Sequence, residues 1–500
     1  MNSFKIRVRI LALTFAVACG NAGIGSDLVL PPDDIVTVPD TAQDPASEPG
    51  EDAISEEGND TVPEVVGDLP VELPKLPVGG CGSTAYDLLS RSLTGTIVSW
   101  EEDTSYQLGP ETIDSLLGQY GYPFFSPLQY GTRIFRVRYV TQDHGKTREA
   151  TAIVGVPDPV DGQGKSFPTV LWTHGTTGFS DGCAPSMNLE GIAFPLLWAA
   201  LGYVAVAPDY LGMAGFGASS EMSHPYLIGE ATAIASWDAV RAAEILLTKE
   251  VQTAATFTRN VILWGASQGG HAVFMCERYA PYLAPEYKVI GAVAAIPPTD
   301  LVHQAEQGLL YPGSTAATLS AFYTAAMKWY GYPASLAGVL TDTDPKHFMT
   351  ALPEFFDHDC DPGDLFDNIT KIDQVYEQSF LDAAAIGIEN LEPWGCFLSD
   401  NSIETSRVQR VSDTPFLFIL SEKDSLVIPE VERTGFDTLC GQGYRMDYIE
   451  CAGASHAQGA IWSLPAQHAW IEDRLAGKPL DVATVCRRTP AQECSGKPTN

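Results

Sequence analysis

A Gly-x-Ser-x-Gly pentapeptide, Gly265 to Gly269, lies between an apolar run and a helix-compatible stretch, with Ser267 at its centre. The preceding run, Val261–Trp264, has the composition of a short buried strand. A strand that turns sharply into a helix holds the central serine in strained backbone geometry, and larger residues at the glycine positions would collide with neighbouring chain. The serine hydroxyl then leaves the sheet at a helix N-terminus, which favours developing negative charge. The pentapeptide therefore predicts a nucleophilic serine at position 267.

Apolar runs that alternate with helical patterns indicate the fold class. The predicted strands are Arg133–Val140, Ala150–Val156, Thr169–Thr173, Tyr203–Ala207, Val261–Trp264, Val289–Ile296, Pro415–Leu420 and Tyr444–Glu450. Several are continuously apolar, as expected of strands buried on both faces of a parallel sheet. The alternation predicts an α/β fold with a mostly parallel, doubly wound sheet.

One interval, from residue 301 to about 410, breaks this alternation and is helical in pattern. We predict that it forms a helical cap over the site, inserted between two strands of the sheet. Its dense aromatic residues are either walls of a binding cavity or the core of the extra helices. They are Phe322, Tyr323, Trp329, Tyr330, Tyr332, Phe348, Phe355, Phe356, Phe366, Tyr376 and Phe380.

A serine nucleophile needs a base to accept its proton and an acid to orient that base. Asp424 follows the predicted strand Pro415–Leu420, and His456 follows the next strand in a loop of small residues. The order Ser, Asp, His along the chain is typical of one large class of hydrolases, and strand C-termini are where open α/β sheets carry their sites. We predict that Asp424 and His456 complete the site. His468, in a helix-like stretch, is the weaker alternative base.

The tetrahedral oxygen formed during acyl transfer needs two backbone N–H donors. One is predicted from Gln268, directly after the serine. The other is predicted from the loop after strand Thr169–Thr173, where Gly175 permits close approach. Thr176 is the assigned donor, with Thr177 as the alternative.

Several motifs occur in order and resemble the secretory lipase family of the α/β-hydrolase superfamily. They are Trp172–Gly178, Cys183–Ser186, Pro208–Gly212, His224–Leu227 and Ser267–Gly270, and the resemblance covers roughly residues 80–480. It implies an α/β-hydrolase fold with a helical cap inserted before the acid-bearing strand, and an esterase or lipase activity. The turn Met213–Gly217 departs from the family's usual glycine-rich pattern.

The N-terminal residues have the pattern of an export signal. Lys5, Arg7 and Arg9 precede an apolar stretch, and Cys19 follows small residues. We predict a signal over residues 1–19, with Cys19 as the lipidated first residue of an outer-membrane or surface lipoprotein; plain signal cleavage and secretion is the alternative.

Residues 20–74 hold fourteen Asp or Glu and no Lys or Arg. Residues 20–79 are therefore predicted as a disordered acidic tether before a hydrolase domain at 80–500.

The chain has ten cysteines, and an exported chain sits where disulfides persist. With Cys19 lipidated and Cys276 buried on the predicted helix after Ser267, eight remain to form four disulfides. Nearness along the chain suggests the pairs Cys486–Cys494, Cys440–Cys451, Cys360–Cys396 and Cys81–Cys183. No Cys-x-x-Cys pair or histidine pair has zinc-ligand spacing, and we expect neither metal nor cofactor.

The net negative charge of the chain excludes some classes of binding partner. Residues 1–19 carry +3 and residues 20–74 carry −14, which leaves −23 of the net −34 for residues 75–500. A body this acidic argues against nucleic acid and against anionic lipid surfaces as partners.

The leading interpretation is a serine esterase or lipase acting on a small-molecule or lipid ester. An acyltransferase or peptidase with the same three residues, or a non-catalytic binding protein on this fold, are the alternatives.

Overall fold

The computed structural model describes residues 74–119, 125, 127–159, 161–333, 335–343, 346–360, 363–366 and 368–497. The chain divides into two units, with one boundary between Lys75 and Leu76. The predicted signal with Cys19, and the predicted tether as far as residue 73, lie outside the described residues. Within the described ranges, no helix has the length and apolar character needed to cross a bilayer.

Nine strands form one sheet in the order β1-β2-β3-β5-β4-β6-β7-β8-β9. Strands β1, β2, β3 and β5 pair antiparallel in that order, and the five pairings from β5 to β9 are parallel. The mostly parallel sheet is thus confirmed. The bounds are β1 Ile97–Glu102, β2 Gly131–Asp143, β3 Lys146–Asp158, β4 Lys165–Thr173, β5 Val204–Pro208, β6 Ala255–Ala266, β7 Lys288–Ala295, β8 Pro415–Ser421 and β9 Arg445–Cys451.

Both faces of the central strands are covered, which explains their continuous apolar sequences. On β6, Val261 and Leu263 belong to the core on one face, whereas Ile262 and Trp264 belong to the core on the other. Successive side chains of a strand point to opposite faces, so a strand packed on both sides must be apolar at every position.

Thirteen α-helices occur in the described residues. They are α1 Pro110–Gln119, α2 Leu189–Ala200, α3 Gly229–Ile245, α4 Gln268–Leu283, α5 Leu301–Gly308, α6 Ser314–Trp329, α7 Phe348–His358, α8 Gly363–Phe366, α9 Gln378–Gly387, α10 Trp394–Asn401, α11 Pro429–Gly441, α12 His456–Trp462 and α13 Leu464–Leu475. The six helices α5 to α10 lie between the adjacent strands β7 and β8. We call Leu301–Asn401 the helical insertion. It has its own apolar core, which extends onto Tyr226–Ala235 of the sheet-bearing part.

Four disulfides join Cys81 to Cys396, Cys183 to Cys360, Cys440 to Cys486 and Cys451 to Cys494, and Cys276 is free and buried. The predicted number of disulfides and the predicted free thiol are confirmed, but all four pairings suggested by nearness were wrong. The true partners are 43 to 315 residues apart in sequence, with Cα atoms 5.3–5.7 Å apart in space. The fold, rather than chain proximity, brings them within bonding geometry. Two of these bonds tie the helical insertion to the rest of the domain.

Candidate active site

Ser267 lies at the turn between β6 and α4. Its backbone has φ 58° and ψ −122°, in the left-handed half of the conformational map, and its N–H donates to Ala295 O at 2.9 Å. A side chain at Gly269 would clash with the carbonyl oxygen of Thr173, and one at Gly265 would clash with the Thr173 hydroxyl. The two glycines are therefore required by the close approach of β4 to the turn, and the turn places the serine side chain beyond the strand end.

The structure brings Ser267, His456 and Asp424 together. His456 Nε2 is 2.9 Å from Ser267 Oγ, and His456 Nδ1 is 2.7 Å from Asp424 Oδ2. The three residues are only 5%, 5% and 8% exposed. Asp424 also accepts hydrogen bonds through Oδ1 from the N–H groups of Leu426 and Val427, at 2.9 and 3.0 Å. Because an ionised carboxylate can only accept, His456 carries its proton on Nδ1, and Nε2 is free to accept from Ser267.

The end of β8 holds the helix that carries His456. Ser421 Oγ donates to the carbonyl oxygen of His456 at 3.1 Å and accepts from the N–H of Gly459 at 3.1 Å. A side chain at Gly459 would clash with the Ser421 hydroxyl. Ser455 and Gln458 form a capping box at the start of this helix. Its Ser-x-x-Gln spacing is a helix-start signal visible in the sequence, whereas the role of Ser421 is a tertiary contact that sequence reasoning missed.

His468, the alternative base, is not in contact with Ser267. His468 lies on α13 beside the rings of Trp198 and Tyr203, and burial lowers its pKa. The structure therefore pairs Ser267 with His456 and not with His468.

The two predicted oxyanion donors follow the ends of β6 and β4. Gln268 is the first residue of α4 and is 3% exposed. Thr176 follows β4, and its hydroxyl lies 2.9 Å from the hydroxyl of Tyr226. The loop before it is fixed by Tyr210, whose hydroxyl donates to His174 O at 3.0 Å. Burial lowers the pKa of His174 to about 3, so this ring is neutral at neutral pH.

A narrow cavity of about 60 Å³ lies beside Ser267 and Gln268. Its wall from the helical insertion is mainly apolar and consists of Leu301, Gln304, Ala305, Thr315, Thr318, Leu319, Phe322 and Leu398. Tyr226, Leu227, Pro298, Leu426 and Val427 line the rest. Of the eleven aromatic residues named for this interval, Phe322 is the one that lines the cavity; Trp329 and Phe356 belong to the core of the insertion.

Gln304 connects the insertion to the loop that carries Asp424. Its Oε1 accepts from the N–H of Ile428 at 3.1 Å, and its Nε2 donates to Glu432 Oε1 at 2.9 Å. Burial raises the pKa of Glu432 to about 8. These contacts hold α5 against the acid-bearing loop, so the cavity wall and Asp424 belong to one connected structure.

The described part of the chain contains no group of three or more His, Cys, Asp or Glu side chains arranged to hold a metal ion. Four acidic residues lie close together in the sequence of the insertion: Asp357, Asp359, Asp361 and Asp364. Of these, Asp357 contacts Lys328 at 2.8 Å and the Ser223 hydroxyl at 3.0 Å. Asp361 of the same stretch lies outside the described residues.

A mostly parallel sheet with a serine at the turn after β6 and a helical insertion before β8 is the α/β-hydrolase architecture. The family model for secretory lipases matches residues 188–482, more than half of the chain. The chain belongs to the secretory lipase family, which confirms the resemblance carried by its motifs and places it among hydrolases of the lipase and esterase class.

Solved structures share the fold at low sequence identity. The rice cell wall degrading esterase LipA from Xanthomonas oryzae superposes with a TM-score of 0.61 at 20% identity, covering 77% of this chain and 100% of that chain. Candida antarctica lipase A in its closed state gives a TM-score of 0.57 at 16% identity, covering 81% and 87%. A Mycobacterium tuberculosis protein described as a probable inactive lipase is 25% identical over 361 residues, which are 68% of this chain and 73% of that protein.

Proposed function

We propose that this protein is a serine carboxylic ester hydrolase, an esterase or lipase that works through an acyl-enzyme on Ser267. The observation that carries the proposal is the unbroken chain of contacts from Ser267 Oγ through His456 to Asp424, at 2.9 and 2.7 Å. Membership of the secretory lipase family supports the same class of reaction.

The geometry suits a two-step acyl transfer. His456 Nε2 takes the proton of Ser267 Oγ while Oγ forms a bond to the ester carbonyl carbon, and the carbonyl oxygen becomes an oxyanion that accepts from the N–H groups of Gln268 and Thr176. The bond to the alcohol oxygen then breaks, and His456 gives its proton to that oxygen. Water, deprotonated by His456, attacks the acyl-enzyme, and Ser267 recovers its proton as the acid leaves. Asp424 stabilises the imidazolium form of His456 in both steps.

The relative described as a probable inactive lipase makes a non-catalytic hydrolase-fold protein the main competing class. In this chain all three groups needed for the reaction are present and in contact. An acyltransferase or peptidase would form the same acyl-enzyme on Ser267. The acyltransferase would pass the acyl group to an acceptor other than water, and the peptidase would cleave an amide instead of an ester.

Fluorophosphonate labelling followed by a panel of p-nitrophenyl esters tests the proposal. We expect one label, located by mass spectrometry on the peptide that contains Ser267, and turnover of at least one ester. Absence of both label and turnover would favour the non-catalytic class, and a label on another serine would overturn the assignment of Ser267.

We further propose that the protein is exported and anchored through lipid on Cys19. The signal pattern of residues 1–19 and the four disulfides, which are typical of oxidising compartments, support this. In a bacterial host that expresses the whole sequence, we expect the mature protein in the membrane fraction, with a lipid-modified Cys19 as its first residue, and no lipid on Cys19→Ala. A mature protein that begins with another residue, or with an unmodified Cys19, would contradict lipid anchoring.

The apolar cavity wall predicts a dependence on acyl length. Each methylene buried against it contributes up to ~0.8 kcal/mol, about fourfold in kcat/KM. We expect kcat/KM for p-nitrophenyl esters to rise from acetyl to longer chains until the cavity is full. Phe322→Ala should lower the ratio of longer-chain to acetyl kcat/KM.

Phe356→Ala is the matched control, since Phe356 is also a buried aromatic residue of the insertion, but neither Phe356 nor Phe179, on which it packs, lines the cavity. It should leave the chain-length ratio unchanged. A profile that is flat or falling from acetyl onward, with both variants acting alike on all esters, would show that the insertion does not bind the acyl chain.

A further inference from the structure

One short segment, His224–Leu227, contacts both residues predicted as oxyanion donors. His224 Nε2 lies 2.9 Å from Gln268 Nε2, and His224 Nδ1 lies 2.8 Å from Leu211 O. Tyr226 places its hydroxyl 2.9 Å from Thr176 Oγ1. These residues have no part in the proton transfers of the reaction, so their contacts need a separate explanation.

The direction of the contact between His224 and Gln268 follows from hydrogen-bond chemistry. Burial lowers the pKa of His224 to about 4, so the ring is neutral at neutral pH. A carbonyl oxygen only accepts, so Nδ1 carries the proton and donates to Leu211 O. Nε2 is then an acceptor, and the Gln268 amide nitrogen donates to it.

In this orientation the other polar atom of the Gln268 side chain is left without a hydrogen bond. Its Oε1 is buried and finds no hydrogen-bond partner among the described residues. An unpaired buried carbonyl oxygen is destabilising, so stability alone does not explain why Gln268 is held this way. The contact with His224 fixes the first residue of α4, whose backbone N–H is the predicted donor.

Local hydrogen bonds and ring packing hold the segment in place. Leu227 has a left-handed backbone with φ 57°, and the N–H of Ile228 closes a turn on Pro225 O at 3.1 Å. The ring of Tyr210 stacks on His174 with centroids 4.1 Å apart, and it lies parallel to the ring of His224 at 5.8 Å. The loop before Thr176 and the loop of His224 are therefore packed against a common ring.

We propose that His224 and Tyr226 are positioning residues for the oxyanion site: His224 holds Gln268 and Tyr226 holds Thr176, so that both backbone N–H groups face the tetrahedral oxygen. The inference rests on the proposed esterase function. Donors must lie within about 2.7–3.1 Å of the oxyanion, and one lost donor costs about 10²–10³ in kcat. A donor that is displaced rather than lost costs less.

Tyr226→Phe removes one hydroxyl and retains the ring. We expect kcat for the best p-nitrophenyl ester to fall about tenfold with KM within about twofold, since the contact matters in the transition state. A boronic acid that forms a tetrahedral adduct on Ser267 should lose affinity by a similar factor. Thr176→Val combined with Tyr226→Phe should cost little more than Tyr226→Phe alone.

The control is Tyr139→Phe. Tyr139 is fully buried, and its hydroxyl donates to Ala235 O at 2.9 Å rather than to Thr176 or Gln268, so this variant should keep the wild-type kcat and boronate affinity. Melting temperatures of both variants separate a loss of folded protein from a loss of kcat.

Two replacements of His224 provide a second arm. In His224→Gln the amide can still accept from Gln268, whereas in His224→Asn it can reach only Leu211 O. The glutamine variant should retain the higher kcat. A purely structural role predicts equal losses, or the reverse order.

The inference is overturned if Tyr226→Phe keeps kcat and boronate affinity within about twofold of wild type, or if the asparagine variant equals the glutamine variant. Failure of the proposed function gives a different result. The wild-type protein would then show no hydrolysis, or Ser267→Ala would retain it.

Discussion

Ser267→Ala should lower kcat for ester hydrolysis about 10⁶-fold, because it removes the atom that forms the acyl-enzyme. The backbone at this position has φ 58°, and alanine adopts it with the same difficulty as serine. Ser267 Oγ contacts His456 and packs no apolar core, so the melting temperature should remain close to that of wild type.

The measurement is the hydrolysis of a p-nitrophenyl ester by protein whose substitution is verified by mass spectrometry. Ser236→Ala is the matched control, since Ser236 is also a buried serine and lies on α3 within the sheet-bearing part. It should remain active. Substantial hydrolysis by the Ser267 variant would mean that another residue is the nucleophile.

The central sheet was predictable because its strands are apolar on both faces. The predicted runs 169–173, 203–207 and 289–296 correspond to strands β4, β5 and β7 with ends shifted by a few residues. Strand β1 was missed. Its sequence, Ile-Val-Ser-Trp-Glu-Glu, is largely exposed and lies at the sheet edge, so it lacks the buried pattern on which the other predictions depended.

The parts of the site that depend on local sequence could be predicted. The glycines two residues before and two residues after Ser267 encode the turn. The positions of Asp424 and His456 follow from the order of the strands. The contact of His224 with Gln268 joins residues 44 apart, and the bond between Cys81 and Cys396 joins residues 315 apart. Such pairs depend on the tertiary arrangement, and chain proximity gave the wrong cysteine partners.

The aromatic composition of the insertion did not predict which residues line the cavity. The insertion needs a core of its own because its helices pack mainly on each other, and that core takes up most of its rings. The sequence shows that the rings are buried but not on which side of a helix the cavity lies. Besides Phe322, the aliphatic residues Leu301, Leu319 and Leu398 line the cavity.

Asp424→Asn should lower kcat about 10⁴-fold with little effect on stability. The asparagine carbonyl can still accept from the N–H groups of Leu426 and Val427, which keeps the loop in place. Its amide NH₂ would then face His456 Nδ1 as a donor. The ring would have to carry its proton on Nε2, where it meets Ser267 Oγ, and it could no longer accept the serine proton.

Glu422→Gln is the control for charge in the same loop. Glu422 accepts from the N–H of Gly453 at 2.7 Å and does not contact His456, so its amide variant should keep kcat within about twofold of wild type. Kinetics of both variants with one ester, at a pH where wild type is fully active, decide the matter. If Asp424→Asn lost no more activity than Glu422→Gln, Asp424 would not orient the base, and the contact of 2.7 Å between its Oδ2 and His456 Nδ1 would be structural only.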